Sequence, residues 1–184
     1  GGLRRAGTRL PVPGCPQYRA RGLPAGGRMQ VDSLSSAGWK PYLAVASPAV
    51  FSSSTGLVSV KLASGSRRAY RGSVVANRVS STSVQTVSAL PMESYLRAVV
   101  PAEMPASWLA NALKAQAVAA RSYAGYDRAH ARSGRTWDNC DTTSCQLYSV
   151  VPAEYAASAA AVSAPPGQTL PHGGSPAFPP FVPA

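Results

Sequence analysis

The 184-residue sequence predicts an α+β fold in which short antiparallel strands are followed by two helices that flank a Pro-Ala-Glu-Met-Pro loop. Three observations lead to this prediction. Before residue 90, short runs alternate polar and apolar residues, as half-buried strands do. After residue 90, apolar residues recur at helical spacing on both sides of the loop. Seven alanines between Leu109 and Ala124 favour a long second helix, because alanine is the strongest helix former.

The first segment, residues 1–38, is rich in glycine, proline and arginine and shows little periodicity. We therefore expect it to be a basic arm that is weakly ordered. Six arginines and no acidic residue lie in the first 28 positions, namely Arg4, Arg5, Arg9, Arg19, Arg21 and Arg28.

The main domain is predicted to run from residue 39 to residue 164, and its first half is β-rich. Polar and apolar residues alternate through Leu57–Leu62, and Ser73–Ala76 and Val84–Leu90 are short runs rich in β-formers. Serine, glycine and asparagine separate these runs at positions typical of turns. The pattern predicts three to five antiparallel strands between Trp39 and Leu90.

Two helices are predicted to follow the strands. Pro91 occupies the N1 position of the first, which tolerates its missing N–H, and Pro101 is expected to end that helix. Ser107 is a candidate N-cap of the second helix, which we expect to end near Ser133 and Gly134. The buried stripe of this helix is predicted to be mostly small, so another element must approach it closely; its members are Leu109, Leu113, Gln116, Ala120 and Tyr123.

A third helix is predicted over Pro152–Ala161, and little regular structure is expected after Ala164. Seven of the last 20 residues are proline, which removes backbone donors and fixes φ. Residues 165–184 therefore form a separate proline-rich tail.

Glu103 lies between Pro101 and Pro105, and each proline biases the residue before it away from helical geometry. The loop around Glu103 is therefore predicted to be stiff. Acid catalysis needs a carboxyl held within hydrogen-bond reach of its target, which such a loop would favour. The alternative is an ordinary solvated glutamate in a helix–helix turn.

Three blocks of the sequence, in the same order, resemble the stage II sporulation protein D (SpoIID/LytB) family. The resemblance covers roughly residues 66–178, with its core over 66–164. The blocks are Tyr70-Arg-Gly72 with the later run Val99-Val-Pro-Ala-Glu-Met-Pro105, the helical run Ala112–Ala124, and Cys140-Asp-Thr-Thr-Ser-Cys-Gln-Leu-Tyr148.

The resemblance implies a peptidoglycan lytic transglycosylase that cleaves denuded glycan strands to 1,6-anhydro-muramyl ends. Glu103 falls on the family's catalytic acid and would act as acid and then as base. Candidate substrate-binding residues are Gln116, Arg121, Tyr123 and Tyr148. For Gln116 and Arg121 the alternatives are a packed amide and a solvated cation. A second functional hypothesis is a non-catalytic wall-binding module that enhances a wall amidase.

Cys140 and Cys145 raise the question of a disulfide or a zinc site. In some relatives a histidine stands directly before the second cysteine and another about six residues before the first, where this chain has Ser144 and Gly134. Zinc prefers four Cys or His ligands, so we expect no metal and no other cofactor. An exported protein favours a disulfide between the two cysteines.

The net charge of +11 favours an acidic polymer as partner. Aromatic residues do not interleave with the arginines as in nucleic-acid-binding proteins. Charge alone does not decide between acidic partners, and the family resemblance implies peptidoglycan rather than nucleic acid. A general polyanion binder is the third hypothesis. No Gly-x-Ser-x-Gly motif supports a serine hydrolase.

The resemblance also carries expectations about location and completeness. It implies an extracellular or wall-associated protein, although the sequence contains neither a visible export signal nor an apolar run long enough for a membrane helix. We therefore expect a boundary upstream of residue 1. The family's next segment is degenerate or missing in residues 165–184, so we also expect a truncation at the C-terminus.

Overall fold

A computed structural model describes residues 17–142, 144–148, 154–164 and 166–179. The predicted α+β class is confirmed, because these ranges contain antiparallel strands and three helices. The strands are β1 (Tyr18–Gly22), β2 (Arg28–Ser35), β3 (Gly38–Ala46), β4 (Ala49–Lys61), β5 (Arg67–Arg78), β6 (Val84–Ala89), β7 (Pro171–His172) and β8 (Ser175–Pro176). The helices are α1 (Met92–Glu103), α2 (Ala110–Ala129) and α3 (Ala156–Ser163).

The chain divides into two compact units. The first contains the described residues up to Val58 together with Gly72–Ala89, and the second contains Ser59–Arg71 and the described residues from Leu90 onward. The division falls within β4 and β5. A three-stranded sheet has the order β4-β5-β6, and β5 pairs with β6 in antiparallel register from Ser73 opposite Ala89 to Arg78 opposite Val84.

The first unit also holds an antiparallel sheet of order β1-β2-β3. Its apolar core comprises Met29, Val31, Ala49 and Ala76. The register between β2 and β3 shifts between Val31 and Asp32, and both of these residues are buried. The predicted strands of the region 39–90 are therefore confirmed in type, although β4 and β5 are longer than the sequence suggested.

Asp32 is 2% exposed and receives hydrogen bonds from Arg19 Nε at 2.9 Å and Arg21 Nε at 3.1 Å. Burial alone would raise the pKa of Asp32, but the hydrogen bonds and charges of Arg21 and Arg19 outweigh it and hold that pKa below its ordinary value of 3.8. This ion-pair cluster ties β1 to β2 inside the first unit.

The prediction of a weakly ordered arm over residues 1–38 is wrong for its described part, because β1 and β2 form there. Glycine and proline composition suggested a linker, yet Met29 and Val31 alternate with polar residues and are buried. Residues 1–16 lie outside the described ranges. The boundaries 39–164 and 165–184 remain predictions.

The second unit is built on the three helices. Its core joins small and branched side chains from all of them: Leu96, Val99, Val100, Leu113, Ala117, Ala120, Ala161 and Val162. The alanines allow α3 to pack closely on α2, as the small stripe predicted. Arg71 forms a bidentate ion pair with Glu154, with both N–O distances at 2.7 Å. This pair fixes the position of the chain just before α3.

Several helix ends differ from prediction. α1 continues through Pro101 to Glu103, because a proline in the last turn loses only one helical hydrogen bond. α2 begins after Leu109 rather than Ser107, with no side-chain cap, and ends at Ala129, with His130 as its C-cap. The third helix is confirmed over Ala156–Ser163, while residues 149–153 lie outside the described ranges.

The proline-rich tail was expected to lack regular structure, but β7 and β8 form a short antiparallel hairpin. Gly173 and Gly174 have φ of 56° and 82°, left-handed values that suit the hairpin turn. Among the described residues, no helix combines the length and the apolar character that a membrane crossing requires.

Candidate active site

Glu103 is the last residue of α1, where it is half-buried. Met104 follows in extended geometry, with φ −147° and ψ 132°, as expected for a residue before Pro105. The N–H of Met104 still donates to Val100 O at 3.0 Å and closes the final turn. The two prolines therefore place Glu103 at a helix terminus rather than in the predicted loop, and Pro105 supplies the expected change of direction.

One oxygen of Glu103 is fixed by the backbone. The N–H of Leu147 donates to Glu103 Oε1 at 2.6 Å, a short charge-assisted hydrogen bond. Among the described residues, the second oxygen, Oε2, has no protein hydrogen-bond partner. The carboxyl is thus held through its oxygen Oε1.

The residue before Leu147 is anchored on several sides. Gln146 is fully buried, and its Nε2 donates to Ala120 O in α2 at 3.1 Å. Its Oε1 accepts from the Tyr95 hydroxyl at 3.2 Å and from Asn139 Nδ2 at 3.1 Å. Asn139 Nδ2 also donates to the Tyr95 hydroxyl at 2.8 Å. These three side chains form a hydrogen-bonded triangle that we call the amide cluster: Tyr95, Asn139 and Gln146.

Burial raises the pKa of Tyr95 well above its ordinary value. The hydrogen bond from Asn139 opposes this effect, while the charges of Tyr148 and Glu103 add to it. Tyr95 therefore keeps its proton and can donate to Gln146.

Tyr148, a predicted substrate-binding residue, lies in a row of three tyrosines. Its ring stacks on Tyr95 with centroids 5.3 Å apart and planes 6° apart, and on Tyr70 with centroids 6.3 Å apart and planes 14° apart. Tyr148 thus lies close to Glu103 in the chain fold, one residue beyond Leu147. Its contact with a substrate stays a prediction.

The predicted disulfide between Cys140 and Cys145 is confirmed, with Cα atoms 5.6 Å apart. The bridge lies between Asn139 and Gln146 in sequence, so it joins the two ends of the segment that carries both amides. In the described parts of the chain, no group of three or more His, Cys, Asp or Glu residues could hold a metal ion.

Arg121 is buried with its guanidinium fully engaged, and this corrects its predicted role. Its Nε and Nη2 donate to the two carboxylate oxygens of Glu93 at 2.9 and 2.8 Å. Nη1 donates to Gln168 O at 2.9 Å, and Nη2 also donates to Val162 O at 3.1 Å. Arg121 therefore joins α1, α2 and the segments around α3 and is neither a solvated cation nor accessible to a sugar.

Gln116 and Tyr123, the other two candidates on α2, are both half-buried. No hydrogen bond between Gln116 and Glu103 is found in the described ranges. The Tyr123 ring packs against Phe178 with centroids 5.2 Å apart, and burial together with the charge of Asp127 raises the pKa of Tyr123. Substrate binding by Gln116 and Tyr123 remains a prediction.

Beside the end of α1, the second unit has an open cleft of about 580 Å³. This volume is within the usual range of small-molecule sites, roughly 300–1,000 Å³. Pro101 and Pro105, which flank Glu103 in sequence, contribute to its wall. The full lining is Pro101, Pro105, Ala106, Ser107, Tyr155, Ala156 and Ala157.

Sequence reasoning identified Glu103, Tyr148 and the two cysteines but missed the amide cluster. Gln146 and Asn139 flank the cysteines, and that position was the available signal. The third member, Tyr95, belongs to α1. Its hydroxyl is separated from its partners by 44 and 51 residues of sequence, so local patterns could not reveal the contact.

Comparison with known proteins gives a consistent result. The family model SpoIID, described as stage II sporulation protein, matches residues 80–172, just over half of the 184 residues. Stage II sporulation protein D of Bacillus subtilis (strain 168) is 44% identical over 66 residues, which is 36% of this chain and 19% of that protein. An uncharacterized protein of Brachyspira hyodysenteriae (strain ATCC 49526 / WA1) is 44% identical over 62 residues, which is 34% of this chain and 17% of that protein.

The matched segments span less than a fifth of the length of either relative. No solved structure matches this chain.

Proposed function

The chain belongs to the SpoIID family of stage II sporulation proteins, and from this premise we propose that it is a lytic transglycosylase acting on peptidoglycan glycan strands. Family membership supports a role related to the cell wall or to sporulation. The proposal narrows that role to cleavage of denuded strands, in an extracellular or wall-associated location. Glu103 is the proposed catalytic residue.

The observation that carries the proposal is the geometry of Glu103. One carboxylate oxygen accepts a hydrogen bond from the Leu147 N–H at 2.6 Å, and the other has no protein partner among the described residues. A carboxyl oriented in this way suits general acid–base catalysis. The cleft wall formed by Pro101 and Pro105 adjoins it in sequence.

The proposed reaction needs one carboxyl group. Protonated Glu103 gives its proton to the glycosidic oxygen as the bond to the anomeric carbon breaks. The 6-hydroxyl of the same muramyl residue then bonds to that carbon and gives its proton to the Glu103 carboxylate. The products are a shortened strand with a 1,6-anhydro end and a free hydroxyl on the leaving sugar, and no water is consumed.

The distribution of acidic residues favours this route over ordinary hydrolysis, which uses two carboxyl groups. The chain has seven acidic residues. Asp32, Glu93 and Glu154 are held by arginines in ion pairs. A mechanism that relies on a single carboxylate therefore requires no catalytic role for any other acidic residue.

The second candidate function is a non-catalytic wall-binding module that enhances a wall amidase. The excess of 18 Lys and Arg residues over seven acids favours it, because wall polymers and peptide carboxylates are acidic. In this alternative Glu103 has only a structural role.

The test is incubation of the protein with glycan strands stripped of peptides, followed by mass spectrometry of the product ends. We expect 1,6-anhydro ends from the parent protein and a loss of at least about 10²-fold in rate for Glu103→Gln, as is usual when an acid–base group is removed. Asp127→Asn is the matched control, because it neutralises a carboxylate on α2, outside the segment that carries the Leu147 N–H.

Binding of both variants to insoluble wall material is measured in parallel. If the folded protein binds wall material without cutting it, the transglycosylase function would be refuted and the enhancer function supported. Cleavage by Glu103→Gln at the parental rate would refute the catalytic assignment. Binding that collapses steeply with added salt and extends to nucleic acid would instead support the general polyanion binder.

A further inference from the structure

We infer that Asn139 and Gln146 are positioning residues that set the direction of the Glu103 carboxylate through the N–H of Leu147. The kinetic consequence of this inference rests on the proposed function. The geometric part stands independently, because it concerns how one peptide group is held.

The peptide group between Gln146 and Leu147 makes the contact with Glu103. Its N–H is the donor to Glu103 Oε1 at 2.6 Å. The Gln146 side chain is fully buried, and its amide bonds to Ala120 O on one side and to Tyr95 and Asn139 on the other. A side chain held at both ends of its amide restricts the backbone to which it is attached. The N–H of the next residue therefore has little freedom of direction.

Helix α1 contacts the segment that carries Asn139, Gln146 and Leu147 at two points. Tyr95 and Glu103 are eight residues apart on the same helix, roughly 12 Å along its axis at 1.5 Å per residue. The Tyr95 hydroxyl joins the amide cluster, and the Glu103 carboxylate accepts the Leu147 N–H. Two contacts spaced in this way fix the position of the segment along the helix, which a single hydrogen bond could not do.

The disulfide closes the same segment covalently. The Cys140–Cys145 bridge closes the segment immediately inside Asn139 and Gln146. It keeps the two amides near each other, where they bond at 3.1 Å. Asn139 supplies a donor to Tyr95 as well as to Gln146, so its loss would break two of the bonds that hold the cluster together.

Tyr95→Phe gives the sharpest kinetic test, because it removes the shared hydroxyl and keeps the ring that stacks on Tyr148. Asn139→Ala removes the second donor, and Tyr126→Phe is the control that loses a tyrosine hydroxyl elsewhere. In the glycan assay we expect the first two variants to lower kcat by about 10- to 100-fold with little change in KM, because a misplaced catalytic group can cost about 10²-fold. The control should keep the parental kcat.

A direct test uses ¹⁵N-labelled protein and follows the Leu147 amide proton by NMR as the pH is varied. In the parent its chemical shift should respond to pH through the contact with Glu103 Oε1, and Glu103→Gln should abolish this response. Tyr95→Phe and Asn139→Ala should reduce the response, whereas Tyr126→Phe should leave it intact. Circular dichroism of each variant confirms folding.

The two tests separate the inference from the proposed function. If the parent cleaves no glycan but the Leu147 response is present and weakened in both cluster variants, the inference stands and the transglycosylase proposal falls. If both folded variants retain the full Leu147 response, the inference is refuted, whatever happens to kcat. Parental kcat in both variants of an active enzyme would also refute it.

Discussion

Removing the carboxylate of Glu93 should destabilise the second unit, because it leaves the Arg121 charge buried. The Arg121 side chain is 3% exposed, and Glu93 accepts two of its hydrogen bonds, at 2.9 and 2.8 Å. Hydrogen bonds to charged groups each contribute roughly 1.5–3 kcal/mol, and loss of one partner of a buried pair costs about 3–5 kcal/mol. The Glu93 side chain is itself 43% exposed, so water offsets part of this loss. We therefore expect Glu93→Ala to lower the free energy of unfolding by about 2–3 kcal/mol.

The assay is urea unfolding followed by far-UV circular dichroism. With a slope of roughly 1–3 kcal/mol per molar, a loss of this size lowers the midpoint by about 1–2 M. Part of the loss comes from the acidic charge in the first turn of α1, roughly 0.3–1 kcal/mol. A double-mutant cycle with Arg121→Met isolates the contribution of the ion pair. In the Arg121→Met background, Glu93→Ala should lower the free energy of unfolding only by the contribution of the charge at the helix terminus. A single-variant loss below about 0.5 kcal/mol would show that water solvates Arg121 and would refute the argument.

Three further predictions concern packing and pH. Gly22→Ala would drive a methyl group into the backbone oxygen of Ser80, so we expect a loss of about 1–3 kcal/mol in urea unfolding. Gly125→Ala, whose Cβ would lie 3.3 Å from the movable ring of Pro176, should change the free energy of unfolding by less than about 1 kcal/mol, since alanine also favours the helix. The pKa of Asp32 is lowered in the folded protein, so its stabilising effect is present above the unfolded pKa and is lost as the pH falls through the folded value. The midpoint temperature of thermal unfolding should therefore fall less steeply between pH 6 and pH 2 for Asp32→Asn than for the parent. Equal slopes of midpoint temperature against pH would contradict this assignment.

The fold class could be predicted from sequence because it depends on local periodicity. Alternation before residue 90 and helical spacing after it are properties of neighbouring residues, and both were confirmed. Helix ends were less accurate because they depend on tertiary contacts. Leu109, expected on the buried stripe, is 83% exposed and caps α2, whereas Ala117 is fully buried.

The candidate site could be predicted only where its residues are close in sequence. Glu103 was singled out from its prolines and from the family resemblance, and the Cys140–Cys145 disulfide from the export that the resemblance implies. Arg121 was assigned to solvent or substrate because its acidic partner is 28 residues away. Tyr95 reaches the amide cluster over 44 and 51 residues of sequence, a separation that no local pattern could reveal.

The disulfide beside the amide cluster makes the closure of this segment depend on the redox state of the surroundings. In a reducing compartment Cys140 and Cys145 would be free thiols, and the segment that carries the Leu147 N–H would lose its covalent closure. The chain could then fold its helices and bring Glu103 to the end of α1 while the carboxylate still lacked a firmly placed partner. If the protein cuts wall glycan, Glu103 would reach its working geometry only where Cys140 and Cys145 can be oxidised.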